Sequence, residues 1–291
     1  MGPDMFKKIV LITNNYTKVI SDTLNTVISV LEQRKIRVFL DQNCGEMLPD
    51  SRHKRVSPTA FRKGEYDLAI AIGGDGTMLK AAHLVADHGI PLLGINRGRL
   101  GFLADIPANS VEAMLTNILD GQYVEDLRFQ LHCQVRRKNR ILHQSDAFND
   151  VILQKGNIGK LIGFETWVNG TYVHSQRGDG MIVATPTGST AYALSGGGPI
   201  IHPSLNALVL VPICPHTLSN RPIVIDGNSK VEILMQESTI DHAMLTCDGE
   251  IICEISEGDK LSVFKKDKKI RLIHPASYDH FSVLRAKLGW G

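Results

Sequence analysis

Leu68-Ala69-Ile70-Ala71-Ile72-Gly73-Gly74-Asp75-Gly76-Thr77 is the stretch that decides the fold. Five apolar residues in a row, closed by glycines, read as a short strand buried on both faces. A helix follows from about Thr77 to His88, and Leu92 to Ile95 is the next strand. The same alternation runs upstream. Lys8-Ile9-Val10-Leu11-Ile12 is another buried strand, and Arg37-Val38-Phe39-Leu40 a third. Between them Ile20, Leu24, Val27, Ile28 and Leu31 keep helical spacing, with Ser21 as the expected N-cap. Residues 41–58 are polar, carry two prolines, and read as a long loop. Downstream, Val111, Met114, Leu115, Ile118 and Leu119 form an apolar helix stripe that Asp120-Gly121 closes, with Gly121 as the C-cap. Strands alternating with helices predict a parallel sheet covered on both faces, a Rossmann-like α/β domain over residues 1–125.

Beyond residue 125 the period changes. Short β-type segments recur near 129–136, 150–154, 162–168, 171–175, 181–184, 208–211, 222–225, 230–234, 243–247, 251–255, 260–264 and 270–273. Asn169-Gly170 and Asp248-Gly249 lie between apolar runs and predict tight hairpins. Lys265 to Lys269 reads as a solvated turn between two strands. Residues 126–275 are therefore expected to form an all-β sandwich domain. Phe281 to Leu288 is helical again, and residues 276–291 are expected to pack back on the first domain.

Composition narrows the function. Lys plus Arg is 32 and Asp plus Glu 30 in 291 residues, a formal net charge of +2, without the strongly basic character of a nucleic-acid binder. The longest apolar stretch, near Ala207 to Cys214, is interrupted by Pro212. A membrane-spanning helix needs about 20 apolar residues, so no membrane partner is expected. No apolar signal-peptide core follows the start. Cys44, Cys133, Cys214, Cys247 and Cys253 are scattered, with no Cys-x-x-Cys pair, so neither a zinc site nor a disulfide framework is expected. Reduced thiols in a cytoplasmic protein fit that pattern.

Glycines gather in three clusters. The first, Gly73-Gly74-Asp75-Gly76-Thr77, lies where a buried strand turns into a helix, the carboxyl edge at which open α/β sheets bind ligands. Glycines there let backbone N–H groups approach a phosphate, and the helix N-terminus favours an anion. Two readings of Asp75 stand on spacing alone. It accepts a proton from an attacking hydroxyl beside a metal-neutralised phosphate, or it caps the helix at a tight turn. The chain has no Gly-x-x-x-x-Gly-Lys-Ser/Thr, so a P-loop is excluded.

The second cluster, Asn96-Arg97-Gly98-Arg99-Leu100-Gly101-Phe102-Leu103, follows the next strand on the same edge. Arg97 and Arg99 could donate guanidinium groups to phosphate; the alternative is a plain surface loop. The third runs from Arg177-Gly178-Asp179-Gly180 through Thr185-Pro186-Thr187-Gly188-Ser189-Thr190-Ala191-Tyr192 to Ser195-Gly196-Gly197-Gly198. Its hydroxyls and glycines could follow the outline of a nucleoside; the alternative is a structural crossover. None of its serines sits in a Gly-x-Ser-x-Gly elbow, which leaves a serine hydrolase unsupported. Asn149-Asp150 precedes a strand and reads as a turn cap or as a ribose-binding carboxylate.

Together, Gly73-Gly74-Asp75-Gly76-Thr77, Asn96-x-Gly98-x-x-Gly101-Phe102-Leu103 and Asp179-Gly180 through Tyr192 resemble the signature set of the NAD kinase family of bacterial type. Lipid kinases and phosphofructokinases share turns like the first, whereas Thr185 to Tyr192 is specific. The resemblance covers nearly the whole chain. It implies ATP-dependent phosphorylation of the adenosine-ribose 2′-hydroxyl of NAD to NADP, with a divalent cation, Mg²⁺ or Mn²⁺, for which no direct protein ligand is assigned. It implies Asp75 as general base, with Gly73, Gly74, Gly76, Thr77 and Arg97 at the ATP phosphates. By similarity Asn149, Asp150, Thr190, Ala191, Tyr192 and Ser195 hold the dinucleotide, together with Asp75 and Gly76. Lys160, Arg177, Asp179 and Glu250 match further contact positions. Many relatives carry Asn-Glu where this chain has Asn149-Asp150, so the shorter acid would move the ribose contact slightly. The resemblance further implies a homodimer or homotetramer and a site between the domains. The rival readings are a lipid or sugar kinase sharing the turn, and a non-catalytic NAD or NADP sensor.

Overall fold

The computed structural model describes residues 6–14, 17–98, 101–138, 140–156, 161–217, 219–236 and 243–290. The chain forms two compact units, Met1–Leu127 with Lys268–Gly291, and Arg128–Asp267.

The first unit alternates as its periodicity predicts: β1 (Lys8–Ile12), α1 (Lys18–Gln33), β2 (Arg37–Asp41), α2 (Gln42–Met47), β3 (Lys54–Val56), β4 (Leu68–Gly73), α3 (Asp75–Val85), β5 (Leu92–Asn96), β6 (Ile106–Pro107) and α4 (Val111–Leu119). Strands β1 to β5 pair in parallel in the order β3-β2-β1-β4-β5, and the far half of a late strand, Leu272 and Ile273, joins beyond β5. The strand order reverses between β1 and β4. Their side chains face helices on both sides, so the runs are apolar throughout rather than alternating.

Two local expectations are corrected. Helix α1 begins earlier than the Ser21 cap predicts. Thr17 is extended there (φ −140°) and its hydroxyl accepts the Ile20 N–H at 3.3 Å. The expected loop 41–58 contains α2 and β3, because Asp41 caps α2 through the Cys44 N–H at 2.8 Å. Gly121 does leave the helical region after α4, with φ +87°.

The second unit begins within β7 (Tyr123–Arg137) and continues with β8 (Arg140–Ala147), β9 (Asp150–Lys155), β10 (Ile162–Val168), β11 (Thr171–Gly178), β12 (Gly180–Ala184), α5 (Tyr192–Ser195), β13 (Ala207–Ile213), β14 (Ile223–Asp226), β15 (Val231–Met235), β16 (Ala243–Cys247), β17 (Glu250–Ile255) and the first half of β18 (Lys260–Pro275). One sheet holds β11, β10, β15 and β18, with β7 and β8; the other runs β14-β13-β12-β9-β16-β17, antiparallel throughout. Leu131, Phe164, Ile233 and Val263 of the one and Leu153, Val183, Leu210 and Leu245 of the other share a single buried cluster. That is a sandwich core, each sheet contributing alternate residues. The outer face of the second sheet is also covered: Ile182, Val209 and Val211 pack with Ala193 and Ile201.

Both expected hairpin turns are present. Asn169 and Gly170 have φ of +52° and +77°, and Asp248 and Gly249 +51° and +83°, the two left-handed residues of a type I′ turn. Lys265 to Lys269 is corrected: no turn interrupts β18 there. Its ammonium groups are partnered instead, Lys265 with Asn206 at 2.6 Å, Lys266 with Asp146, and Lys268 with the Asp87 carbonyl at 3.0 Å. The chain ends in α6 (His280–Leu288), which belongs to the first unit.

Candidate active site

In the first unit the site is built at the carboxyl ends of β1 and β4, the point where the strand order reverses and a crevice opens between diverging connections. The Thr13 hydroxyl donates to the Ile72 carbonyl at 2.9 Å and ties the two strand ends together. Gly73 ends β4, and a methyl on it would overlap the Thr77 side chain. Gly74, extended, is the N-cap of α3. Asp75 is therefore the first helical residue and not the cap, which removes the capping alternative. Added methyls at Gly74 and Gly76 would meet no atom within 4 Å, so the backbone there faces open space. The helix N-terminus directs its first-turn N–H groups into that space.

The second glycine cluster closes on the first. The Arg97 N–H donates to the Gly73 carbonyl at 3.0 Å. Both oxygens of the Asp75 carboxylate accept backbone N–H bonds, from Phe102 at 2.9 Å and Leu103 at 3.0 Å. The Arg97 guanidinium donates through Nε to the Val19 carbonyl at 3.0 Å, in the first turn of α1. Arg99 lies outside the described residues. A polar group that the sequence reading did not single out lies on the same edge. Lys80 Nζ donates to the Thr13 carbonyl at 2.8 Å and to buried Asp41 at 3.1 Å, and the Asn43 amide also donates to Thr13.

In the second unit the dinucleotide candidates are organised by Asp248. Its carboxylate accepts the N–H of Phe148 at 2.7 Å, Asn149 at 2.7 Å and Asp150 at 3.2 Å. Three amides facing one carboxylate fix the entry to β9. Asp150 opens that strand and is buried. Its Oδ2 has no hydrogen-bond partner among the described residues, so it is not a turn cap. Burial, and then the Asp248 charge, pushes its carboxyl up to about 7.

The third cluster is braced against the same strand. The Thr185 N–H donates to the Asn149 carbonyl at 2.9 Å, and its hydroxyl donates to the Phe148 carbonyl at 2.7 Å. A methyl at Gly188 would overlap the Asn149 backbone. The buried Ser189 hydroxyl donates to the Pro186 carbonyl at 2.6 Å and accepts the Ile201 N–H at 2.9 Å. Buried Arg128 donates to the Thr187 hydroxyl at 3.1 Å. Thr190 and Ala191 lie at the turn leading into α5, and Tyr192 stands exposed at its start. Ser195 closes the helix. Asp179 pairs with Lys155 at 2.7 Å, the Arg177 carbonyl accepts the His216 N–H, and Glu250 starts β17 beside the Asp248 turn. Lys160 lies outside the described residues. Asp248 and Arg128 were not singled out from sequence. Asp248 was visible only as half of a hairpin turn.

One unit carries a carboxylate at a helix N-terminus, and the other, taken by itself, carries a rigid, partly unsatisfied polar strand entry. Comparison with known proteins gives the chain a family. The ATP-NAD kinase N-terminal domain matches residues 9–123, and the ATP-NAD kinase C-terminal domain residues 148–275. The NAD kinase of Pseudomonas entomophila (strain L48) is 45% identical over 289 residues, 99% of this chain and 97% of that protein. The NAD kinase of Pseudomonas syringae pv. tomato (strain ATCC BAA-871 / DC3000) is 44% identical over the same length. Among solved structures, yeast NADH kinase complexed with NADH superposes with a TM-score of 0.87 at 23% identity, over 98% of this chain and 88% of that one. An NAD kinase from Archaeoglobus fulgidus in complex with ATP gives 0.73 at 21% identity, over 96% and 99%. These two likenesses establish the fold.

Proposed function

Because the chain belongs to the ATP-NAD kinase family and is thereby a kinase acting on NAD, we propose that it transfers the terminal phosphoryl group of ATP to the 2′-hydroxyl of the adenosine ribose, giving NADP. The observation that carries this reading is Asp75, a carboxylate at the N-terminus of α3 where the strand order reverses. Anionic phosphates are favoured at that helix end, and a carboxylate beside them has a purpose if it receives a proton.

Phosphoryl transfer asks the protein mainly for alignment and charge offset. In the proposed reaction the 2′-hydroxyl oxygen bonds to the γ-phosphorus as its proton passes to Asp75, and the bond to the ADP oxygen breaks. Gly73, Gly74, Gly76 and Thr77 supply backbone near the phosphates, and Arg97 supplies positive charge. Asp150 receives ribose hydroxyl hydrogen bonds at its unpartnered oxygen, and Asn149 meets the adenine. Thr190, Ala191, Tyr192 and Ser195 line the nucleoside, with Arg177, Asp179, Lys160 and Glu250 as further contacts.

Among the described residues no group of three or more His, Cys, Asp or Glu could cage a metal ion. A Mg²⁺-type cation, which keeps several waters, would be held by the substrate phosphates, with no direct protein ligand assigned. When bound, such an ion offsets phosphate charge. A homodimer or homotetramer is part of the reading, as is a cytoplasmic setting, which rests on five free, scattered thiols. No helix among the described residues is long and apolar enough to cross a membrane.

A coupled assay with ATP, Mg²⁺ and NAD tests the reading, with NADH, a diacylglycerol and a sugar phosphate as parallel acceptors. NADP formation is expected. Transfer to the lipid or sugar alone, or dinucleotide binding without ATP consumption, overturns it.

A further inference from the structure

We infer that the second glycine cluster is the positioning element of the base: the backbone N–H groups of Phe102 and Leu103 hold both oxygens of Asp75 and set the direction in which that carboxylate meets the ribose hydroxyl. The inference rests on the reading of Asp75 as the base. It assigns a role to residues 101–103, whose glycine spacing alone suggested only a phosphate loop or a plain turn.

The geometry is two-point. Phe102 N–H reaches Oδ2 at 2.9 Å and Leu103 N–H reaches Oδ1 at 3.0 Å. One hydrogen bond leaves a carboxylate free to swing about the bond; two from consecutive amides fix its plane. An ionised carboxylate has about four lone-pair sites, so two remain for a hydroxyl proton. Consecutive amide dipoles also offset the negative charge that makes an aspartate unwelcome beside phosphates.

The donors are themselves anchored. Leu103 is buried, and Phe102 lies under Lys287 of α6, whose Nζ stands 5.2 Å from the ring centroid. A methyl at Gly94 of β5 would come within 2.9 Å of Ala104 Cα and 2.7 Å of Met78 Sδ, so this segment is packed closely on strand and helix. Gly101 is required for space. A methyl there would overlap Asp75 Oδ1 and lie 2.9 Å from its Cγ.

The sharpest test removes one N–H while keeping the side chain. Phe102 is replaced by phenyllactate, the α-hydroxy acid with the same side chain, so that an ester oxygen stands in place of the amide. Gly101→Ala is the second variant, since it displaces the carboxylate sterically. Both are measured for kcat, for KM toward NAD and ATP, and for the thermal midpoint. Each is also combined with Asp75→Asn. The expected result is a kcat lowered about 10- to 100-fold, the span of one hydrogen bond to a charged group, with both KM values and the midpoint unchanged. In the Asp75→Asn background the same changes are expected to cost nothing further, because they act through that carboxylate. A phenyllactate variant with wild-type kcat overturns the inference and leaves the base assignment standing. An equal loss in both backgrounds also overturns it, by showing a structural role. Near-normal turnover of Asp75→Asn alone overturns the base assignment and the inference with it.

Discussion

The carboxylate of Asp248 accepts the backbone N–H of Asp150 at 3.2 Å, while its charge adds to burial in pushing the Asp150 carboxyl up to about 7. One acid is satisfied by three amides and shapes the strand entry. The other is buried with an oxygen that has no partner among the described residues. A buried, unpartnered carboxylate costs stability, and a ligand hydroxyl is the partner that would recover it.

That cost depends on pH. The folded-state value of Asp150 lies above its ordinary 3.8. Its favourable contribution is therefore fully present below 3.8 and lost as pH rises through about 7. At ~1.36 kcal/mol per pH unit the loss is up to about 4 kcal/mol. Asp150→Asn should be more stable than wild type at pH 8, with the difference shrinking toward pH 4. Urea unfolding across that range checks this, and a pH-independent difference would contradict it.

The same residue should matter more for NAD than for ATP. On the proposed reading Asp150→Ala removes a ribose contact, and it is expected to raise the half-saturating NAD concentration about 10-fold or more, the value of a charge-assisted hydrogen bond. Titrating NAD at saturating ATP decides it; an unchanged half-saturation sinks the ribose assignment.

Asp75→Asn keeps the size of the side chain at the start of α3 but removes the proposed proton acceptor. Turnover is expected to fall by about 10²–10⁴, the usual contribution of a general base, with the thermal midpoint nearly unchanged. Steady-state kinetics alongside a melting curve tests the claim; near-normal turnover refutes it.

Ser189 is a structural test of the third cluster. Its buried hydroxyl bridges the Pro186 carbonyl and the Ile201 N–H. Ser189→Ala leaves both without that partner, and a loss of about 2–3 kcal/mol is expected. A smaller change in chemical unfolding, below about 0.5 kcal/mol, would show that the loop is braced elsewhere.

The features read correctly from sequence are those with local causes. Strands β1, β2, β4 and β5 are short apolar runs, α4 is a clean stripe, and two Asx-Gly pairs make the turns where φ must be positive. Strand β8 is not legible in the sequence, because most of its Arg140–Ala147 residues are exposed or half-buried and show no apolar alternation. Helix α2 is equally hidden, because six residues containing a glycine carry no period; an Asp41 cap supplies what propensity lacks. The lysines of β18 looked solvated because their partners Asn206, Asp146 and Asp87 are remote in sequence.

The candidate site divides along the same line. Sequence by itself determined the fold class and the family motifs, and it nominated the candidate site residues, since burial period, turn chemistry and motif spacing are all written within a few residues. The tertiary structure alone decided how those residues are held. The donors to Asp75 lie 27 and 28 residues further on, and Asp248 reaches back 98 to 100 residues to the amides it accepts. Backbone N–H groups are the same in every residue but proline. Which ones meet a given carboxylate is therefore invisible in the order of side chains and appears only when the strands are paired.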